Sequence, residues 1–211
     1  MGSHDYFLYE EKMKRFFDFL FSLILIIPIS FLIIILSILI LLIDHFLPFH
    51  FQKRVGKNGK LFICYKLQTM KPPKNKDLVG ETEKDVYRVT KLGEIIRDHG
   101  WDELPQIVNV LLGNMSFIGP RPLLLKTIER IRDKNPEIRK KVDIWEDKRK
   151  KMKPGISGWH QVHLEKKASI LELENHRCSL KGKIVIVIVT IIVFIFGKNI
   201  SSKFYKPLLK I

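Results

Sequence analysis

From Phe16 to Ile43 the chain reads "FFDFLFSLILIIPISFLIIILSILILLI", with only Asp18, Ser22, Ser30 and Ser37 polar. Nothing else in the sequence constrains the fold as strongly. The run is too long for the core of a signal peptide, and no small-residue cleavage site follows it. About 20 apolar residues cover a ~30 Å hydrocarbon layer, so by length the segment suits a membrane helix. Pro28 lies near its middle. Proline removes a backbone donor and clashes with the preceding turn, so a kink is expected there. The legs on either side have about 12 and 15 residues, roughly 18–22 Å at helical rise, each too short to span alone. Lys12, Lys14 and Arg15 precede the run, and Lys53, Arg54, Lys57 and Lys60 follow it. Positive charge favours the cytoplasmic side, and a hairpin that enters and leaves one leaflet satisfies both flanks. A straight span and a buried core helix are the other two readings. Asp18 is expected at the interface, paired with a nearby cation such as Arg15.

Charge points the same way. The formal net charge is +15 and the isoelectric point about 9.8, which calls for an anionic partner: nucleic acid, an anionic lipid surface or phosphorylated substrates. The chain has no recognised nucleic-acid motif, so a nucleic-acid partner is not expected. Cys64 and Cys178, the only cysteines, stand in no ligand spacing. That argues against a disulfide framework and against a zinc site. A second apolar run, Ile184 to Phe196, is too short to span at about 13 residues. It reads either as a core helix or strand, or as a helix lying in the membrane face with its flanking lysines near lipid phosphates.

Between these runs, "GKNGKLFICYKLQTM" (56–70) has an Asn58-Gly59 turn and β-favouring residues, so a hairpin is expected. Residues 71–85 read as a loop. Residues 89–100 read as a short helix ending at Gly100, and "DELPQIVNVLLG" as a second helix closed by Gly113. "NMSFIGPRPLLL" reads as a proline-framed loop, residues 123–150 as one or two charged amphipathic helices broken near Asn135-Pro136, and 153–162 as a Gly/Pro loop.

Asp102 and Glu103 precede Pro105, which is tolerated in a first helical turn. With Asp102 near an N-cap, backbone N–H groups and the helix dipole would keep its carboxylate ionised. A plain helix cap accounts for such a pair. So does an ionised nucleophile with a second carboxylate beside it, and two carboxylates also suit Mg²⁺ when phosphate completes its shell. Arg121 lies between Pro120 and Pro122, a rigid mount suited to bidentate phosphate binding. Lys66 is a strand lysine, either solvated or a phosphate ligand. The histidines His99, His160, His163 and His176 fit no metal spacing, and Trp101, Trp145 and Trp159 read as core or interfacial aromatics.

Together these pieces resemble the signature block of the bacterial sugar transferase family, the monotopic phosphoglycosyl transferases. The block is "RVTKLGEIIR…WDELPQIVNVLLGNMSFIGPRPLLL", and the likeness extends from "KRFFD" through the apolar run to "MKPGISGWHQV", roughly residues 12–162. The resemblance implies a re-entrant hairpin broken at Pro28. It implies transfer of a sugar phosphate from a UDP-sugar to a polyprenol phosphate such as undecaprenyl phosphate, with release of UMP. Asp102 would be the nucleophile that forms a phosphosugar ester. Glu103 would assist through Mg²⁺ or a proton. Lys66, Arg88 and Arg121 would bind substrate phosphates, with Mg²⁺ held by Asp102 and Glu103. Phosphoryl transfer rests on positioning and charge neutralisation, which such a set supplies.

Ile27, Val55, Gln68 and Asn114 depart from the family pattern, and beyond about residue 163 the likeness fades. That altered C-terminal third motivates one alternative, an inactive relative acting as a membrane scaffold for glycan enzymes. The expected fold is α+β and mostly helical: a re-entrant hairpin, a small β-hairpin and interfacial amphipathic helices around one catalytic domain. Its divisions are an N-terminal tail (1–11), the hairpin (12–52), the catalytic domain (53–163) and a divergent C-terminal part (164–211). The expected location is the cytoplasmic face of a bacterial inner membrane, on anionic lipids, with a homodimer left open.

Overall fold

A computed structural model describes residues 3–72, 88–134, 139–158 and 180–205. The structure is mostly helical with two small sheets. Helix α1 (Ser3–Leu39) carries the apolar run and continues in a π-turn (Ile40–Asp44) that ends at His45 in the left-handed region. Pro28 stands inside α1, and the residues on both sides of it are helical. The expected interruption there is thus absent from the helix itself. Most of α1 is apolar and exposed, including Phe16, Ile24, Ile27, Phe31 and Leu42.

Two zones of α1 pack on the rest of the chain, and both are dictated by sequence. At its start, the Arg15 guanidinium donates to the carbonyls of Val110 (2.5 Å) and Leu111 (2.7 Å). Lys14 Nζ donates to Ile118 O (2.8 Å), and the Phe117 amide donates to Asp18 Oδ1 (3.2 Å). Asp18 is buried and meets this amide, where the sequence suggested a pairing with Arg15. Arg15 instead serves carbonyls in the last turn of a helix, where Val110 O also accepts from the Gly113 amide (3.0 Å). At its other end, Leu36 and Ile40 join Leu67 and Ile96 in a core that also takes in Leu32, Trp101 and Leu104. Burying each such side chain is worth about 1.5–3 kcal/mol.

Strands β1 (Phe49–Val55) and β2 (Leu61–Leu67) form an antiparallel hairpin with Val55 opposite Leu61. The turn uses Asn58 (φ 56°) and Gly59 (φ 74°), as the Asn-Gly signal predicts, but the hairpin reaches back to Phe49, beyond the expected start. Helix α2 (Lys91–Asp98) is capped by Thr90, whose Oγ1 accepts from the Gly93 amide and donates to Asp44. Helix α3 (Gln106–Leu111) follows a 3₁₀ turn over Trp101–Glu103. Strands β3 (Ser116–Ile118) and β4 (Gly155–Ser157) pair in parallel within segments expected as loops. They approach so closely that a Cβ on Gly155 would lie 2.0 Å from the Gly119 amide. Helices α4 (Leu125–Lys134) and α5 (Arg139–Lys150) are the charged pair, and the Asn135-Pro136 break lies outside the described residues. So do Trp159, His160, His163, His176, Cys178 and most of the 71–85 loop.

The second apolar run is helix α6 (Leu180–Tyr205). Ile186 and Val189 are buried against Ile118, and Thr190 shares a hydrogen bond of 2.5 Å with Ser157. On its other side Ile184, Ile188, Ile191 and Ile195 are exposed. A helix rather than a strand results, packed on one face only.

Candidate active site

Asp102 and Glu103 lie in the 3₁₀ turn between α2 and α3, and no side-chain cap bond is made there. Gly100 (φ 72°) begins that turn, and Pro105 stands immediately before α3. The expected N-cap role of Asp102 is therefore replaced by another source of stabilisation: cations from two other elements. Lys66 of β2 extends Nζ to 2.6 Å from Glu103 Oε1 and 3.5 Å from Asp102 Oδ2. The Arg121 guanidinium reaches the same Glu103 oxygen at 3.1 Å. Lys66, Asp102 and Glu103 are only 13%, 14% and 17% exposed along their side chains, so solvent screens these interactions far less than at an open surface.

The balance at Glu103 follows from these contacts. Burial pushes its pKa up, but Lys66 and then Arg121 pull it down further, to about 2. Glu103 is thus an anion throughout the neutral range. It suits holding cations and lacks the proton that a general acid needs.

Two features place the cations. Asn109 of α3 uses its side-chain amide as a strand neighbour would: Nδ2 donates to Ile63 O (2.7 Å), and Oδ1 accepts from the Tyr65 amide (3.1 Å). This fixes β2, and Lys66 with it, against the helix that follows the carboxylates. The loop carrying Arg121 is tied to β1. The Val55 amide donates to Leu123 O (3.0 Å), and Arg54 donates to Pro122 O. Arg54 also donates to Gln52 Oε1 (2.8 Å), while its buried Nε has no hydrogen-bond partner among the described residues. Burial lowers the Arg54 pKa, and its charge interacts with Arg121, Glu103 and Asp102. In sequence Arg54 looks like one more flanking charge, so its place behind the Arg121 loop was not legible.

In its described contacts Arg88 meets backbone, not the carboxylates. Its guanidinium donates to Lys71 O at 2.9 and 2.8 Å, beside the Met70–Val89 bridge. Among the described residues, no group of three or more His, Cys, Asp or Glu side chains could hold a metal ion. Asp102 and Glu103 offer hard oxygens, and Glu103 Oε1 is already engaged by Lys66 and Arg121. That donor set fits Mg²⁺, which needs one or two carboxylates and takes the rest of its shell from water and phosphate. The arrangement as a whole is an ionised carboxylate beside a pocket of cations, which is chemistry for a phosphate ester rather than for a neutral substrate.

Comparison with known proteins bears on this geometry. The profile described as "Bacterial sugar transferase" matches residues 9–197. The match continues well past residue 163 and into α6, so the C-terminal third departs from the family less than its sequence suggested. The chain is 36% identical over 152 residues to the uncharacterized sugar transferase EpsL of Bacillus subtilis, covering 72% of this chain and 68% of that protein. It is 44% identical over 110 residues to a putative undecaprenyl-phosphate N-acetylgalactosaminyl 1-phosphate transferase of the same organism, covering 52% and 62%. It is 38% identical over 112 residues to the UDP-glucose:undecaprenyl-phosphate glucose-1-phosphate transferase of Escherichia coli, covering 53% of this chain and 22% of that longer protein.

Proposed function

The chain belongs to the bacterial sugar transferase family, and on that premise we propose that it moves a sugar phosphate from a UDP-sugar to a polyprenol phosphate such as undecaprenyl phosphate. The observation that carries the reading is the pairing of Asp102 and Glu103 with Lys66, with Arg121 completing the charge cluster on Glu103. Among the described residues Asp102 is paired with Lys66 at 3.5 Å, a longer contact than either of those on Glu103, and this looser carboxylate is the nucleophile. Its oxygen attacks the sugar-proximal phosphorus. The bond from that phosphorus to the bridging oxygen breaks, and UMP leaves with the electron pair. An oxygen of the polyprenol phosphate then attacks the phosphorus of the Asp102 ester. This frees the carboxylate and leaves a sugar diphosphate on the lipid. Lys66 and Arg121 exchange part of their contact with Glu103 for contact with phosphate oxygens as charge develops. Bound Mg²⁺, held by Asp102 and Glu103, would supply further neutralisation of phosphate charge.

A membrane seat on the cytoplasmic face of a bacterial inner membrane accompanies this reading. Residues 14–18 and 32–40 of α1 pack on the same domain. A straight helix crossing a bilayer would carry residue 36 about 27 Å beyond residue 18, away from any domain on the first side. Contacts at both ends therefore favour entry and return on one side, with Pro28 between the two contact zones. The exposed apolar surface of α1 and the free side of α6 suit anionic lipids framed by lysines.

The test is Asp102→Asn. Transfer, followed as UMP release from a panel of UDP-sugars with undecaprenyl phosphate, should vanish while membrane association stays intact. The wild type should yield a phosphosugar adduct on Asp102 by mass spectrometry when the lipid is withheld. Full activity in the variant would sink the covalent route. Absence of turnover on every sugar by well-folded wild type would favour a scaffold instead.

A further inference from the structure

The helical run of α6 is interrupted at Gly197, where φ is 75° and ψ 163°. An L side chain there would be strained, and a Cβ would lie 2.1 Å from Asp98 Oδ2. A break of this kind leaves the preceding carbonyls without a helical N–H four residues on. One of them, Phe194 O, accepts from Trp101 Nε1 at 3.1 Å. The Phe194 ring also meets Trp101 nearly edge-on, with centroids 6.0 Å apart. The residue after the glycine, Lys198, donates from Nζ to Arg97 O at 2.7 Å. Helix α6 therefore grips both ends of the corner 97–101. That corner runs from the last turn of α2 to the residue before Asp102.

The corner has other holds as well: Arg97 Nε donates to Thr69 Oγ1 (2.7 Å), the Glu103 amide donates to Gly100 O (3.2 Å), and Trp101 packs on the core of Leu36, Ile40, Leu67 and Ile96. Gly100 turns the corner through the left-handed region, its amide donates to Arg97 O (3.1 Å), and His99 stacks on Trp101 at 4.5 Å. The charge of Lys198 also reaches Glu103, where it adds to the effects of Lys66 and Arg121. Lys198 is thus near enough to Glu103 to act on it, yet its ammonium is spent on the corner's backbone.

We propose that Trp101 and Lys198 are positioning residues, and that α6 is a latch on the 97–101 corner that aims Asp102 and Glu103 at Lys66 and Arg121. Neither residue needs to touch substrate. The inference rests on the reading of Asp102 as nucleophile for its effect on rate, but not for its effect on structure. A purely packing role for Trp101 would be met by phenylalanine, which keeps a ring against Phe194 and loses only the indole N–H. Positioning matters at this scale because a displacement near 1 Å in a reacting group can lower a rate about 100-fold.

The test uses the full chain in detergent or nanodiscs, as Trp101→Phe, Lys198→Met and Lys198→Arg. Amide hydrogen exchange is read first and without substrate. The protected amides of His99, Gly100, Glu103 and Leu104 should exchange faster in W101F and K198M, with β1 and β2 unchanged. K198R should match the wild type. Steady-state kinetics follow, with UDP-glucose, UDP-galactose and UDP-N-acetylgalactosamine as donors. In W101F and K198M kcat should fall about tenfold or more, with KM within about twofold. Unchanged exchange across 99–104 in both variants would overturn the latch. Faster exchange with wild-type kcat would overturn its role in positioning. A wild type that turns over no donor would count against the proposed function, while the exchange result would still decide the latch.

Discussion

Replacing Lys66 with methionine tests the electrostatic core of the site. Methionine keeps much of the stem's packing and deletes the cation that lies 2.6 Å from Glu103. In the wild type, Glu103 moves from an ordinary 4.5 to about 2, which corresponds to about 3 kcal/mol of stability at neutral pH. Because the folded-state pKa is depressed, that stability is complete above pH 4.5 and is lost as pH falls through about 2. In Lys66→Met, burial still raises the pKa and the Arg121 cation is left as the main opposing group. The pKa of Glu103 should therefore rise, and the variant should be less stable than the wild type by about 3 kcal/mol at pH 7. The deficit should shrink as pH is lowered from 4.5 toward 2. Adding Glu103→Gln to Lys66→Met should restore most of the loss, because no charge is then left buried with too few partners. Thermal unfolding of the four proteins in one detergent, at pH 7 and pH 4, measures all of this as a double-mutant cycle. A deficit that is equal at both pH values and unrelieved by Glu103→Gln would refute the account and make Lys66 a packing residue.

Asn109→Leu should cost about 2–4 kcal/mol, since it strands Ile63 O and the Tyr65 amide; denaturant titration in detergent reads the loss. Arg15→Leu should loosen the start of α1 from α3 at a cost of about 1–3 kcal/mol, seen as faster proteolysis near residues 110–118 with turnover reduced rather than abolished. Single cysteines at Lys12 and at Lys57 should be labelled from the same side of sealed inverted vesicles. Labelling from opposite sides would remove the hairpin reading.

The features legible in sequence were those set by local chemistry. The apolar run could only be a long helix in lipid or core, and Asn58-Gly59 could only turn tightly. Residues 89–100 fitted a short helix. Other features depend on meetings across the chain. Asp18 was matched to Arg15 because it lies only three positions away, yet the fold gives Asp18 an amide of β3 and Arg15 the carbonyls of α3. The strands β3 and β4 carry only three residues each, too few for a periodic signal, and exist because two glycines let the segments touch. Asp102, Glu103, Lys66 and Arg121 stood out by residue type and setting and took their roles from a family resemblance, and the fold supplies the distances that join them. Arg54, Trp101 and Lys198 had no such cue. Each contributes through a backbone carbonyl on a distant segment, which no spacing rule in one sequence encodes.

The amide of Asn109 has one further consequence. It reads the backbone of β2 and is blind to side chains, so it would accept a strand slipped by two residues as readily as the native one. Such a slip preserves the alternation of faces and offers Cys64 or Gln68 where Lys66 belongs. What forbids it is the far end of the hairpin, where Asn58 and Gly59 fix how β1 and β2 are counted against each other. The identity of the cation beside the carboxylates is thus decided by a turn that lies outside the site, and a fault in that turn would appear as a fault in chemistry.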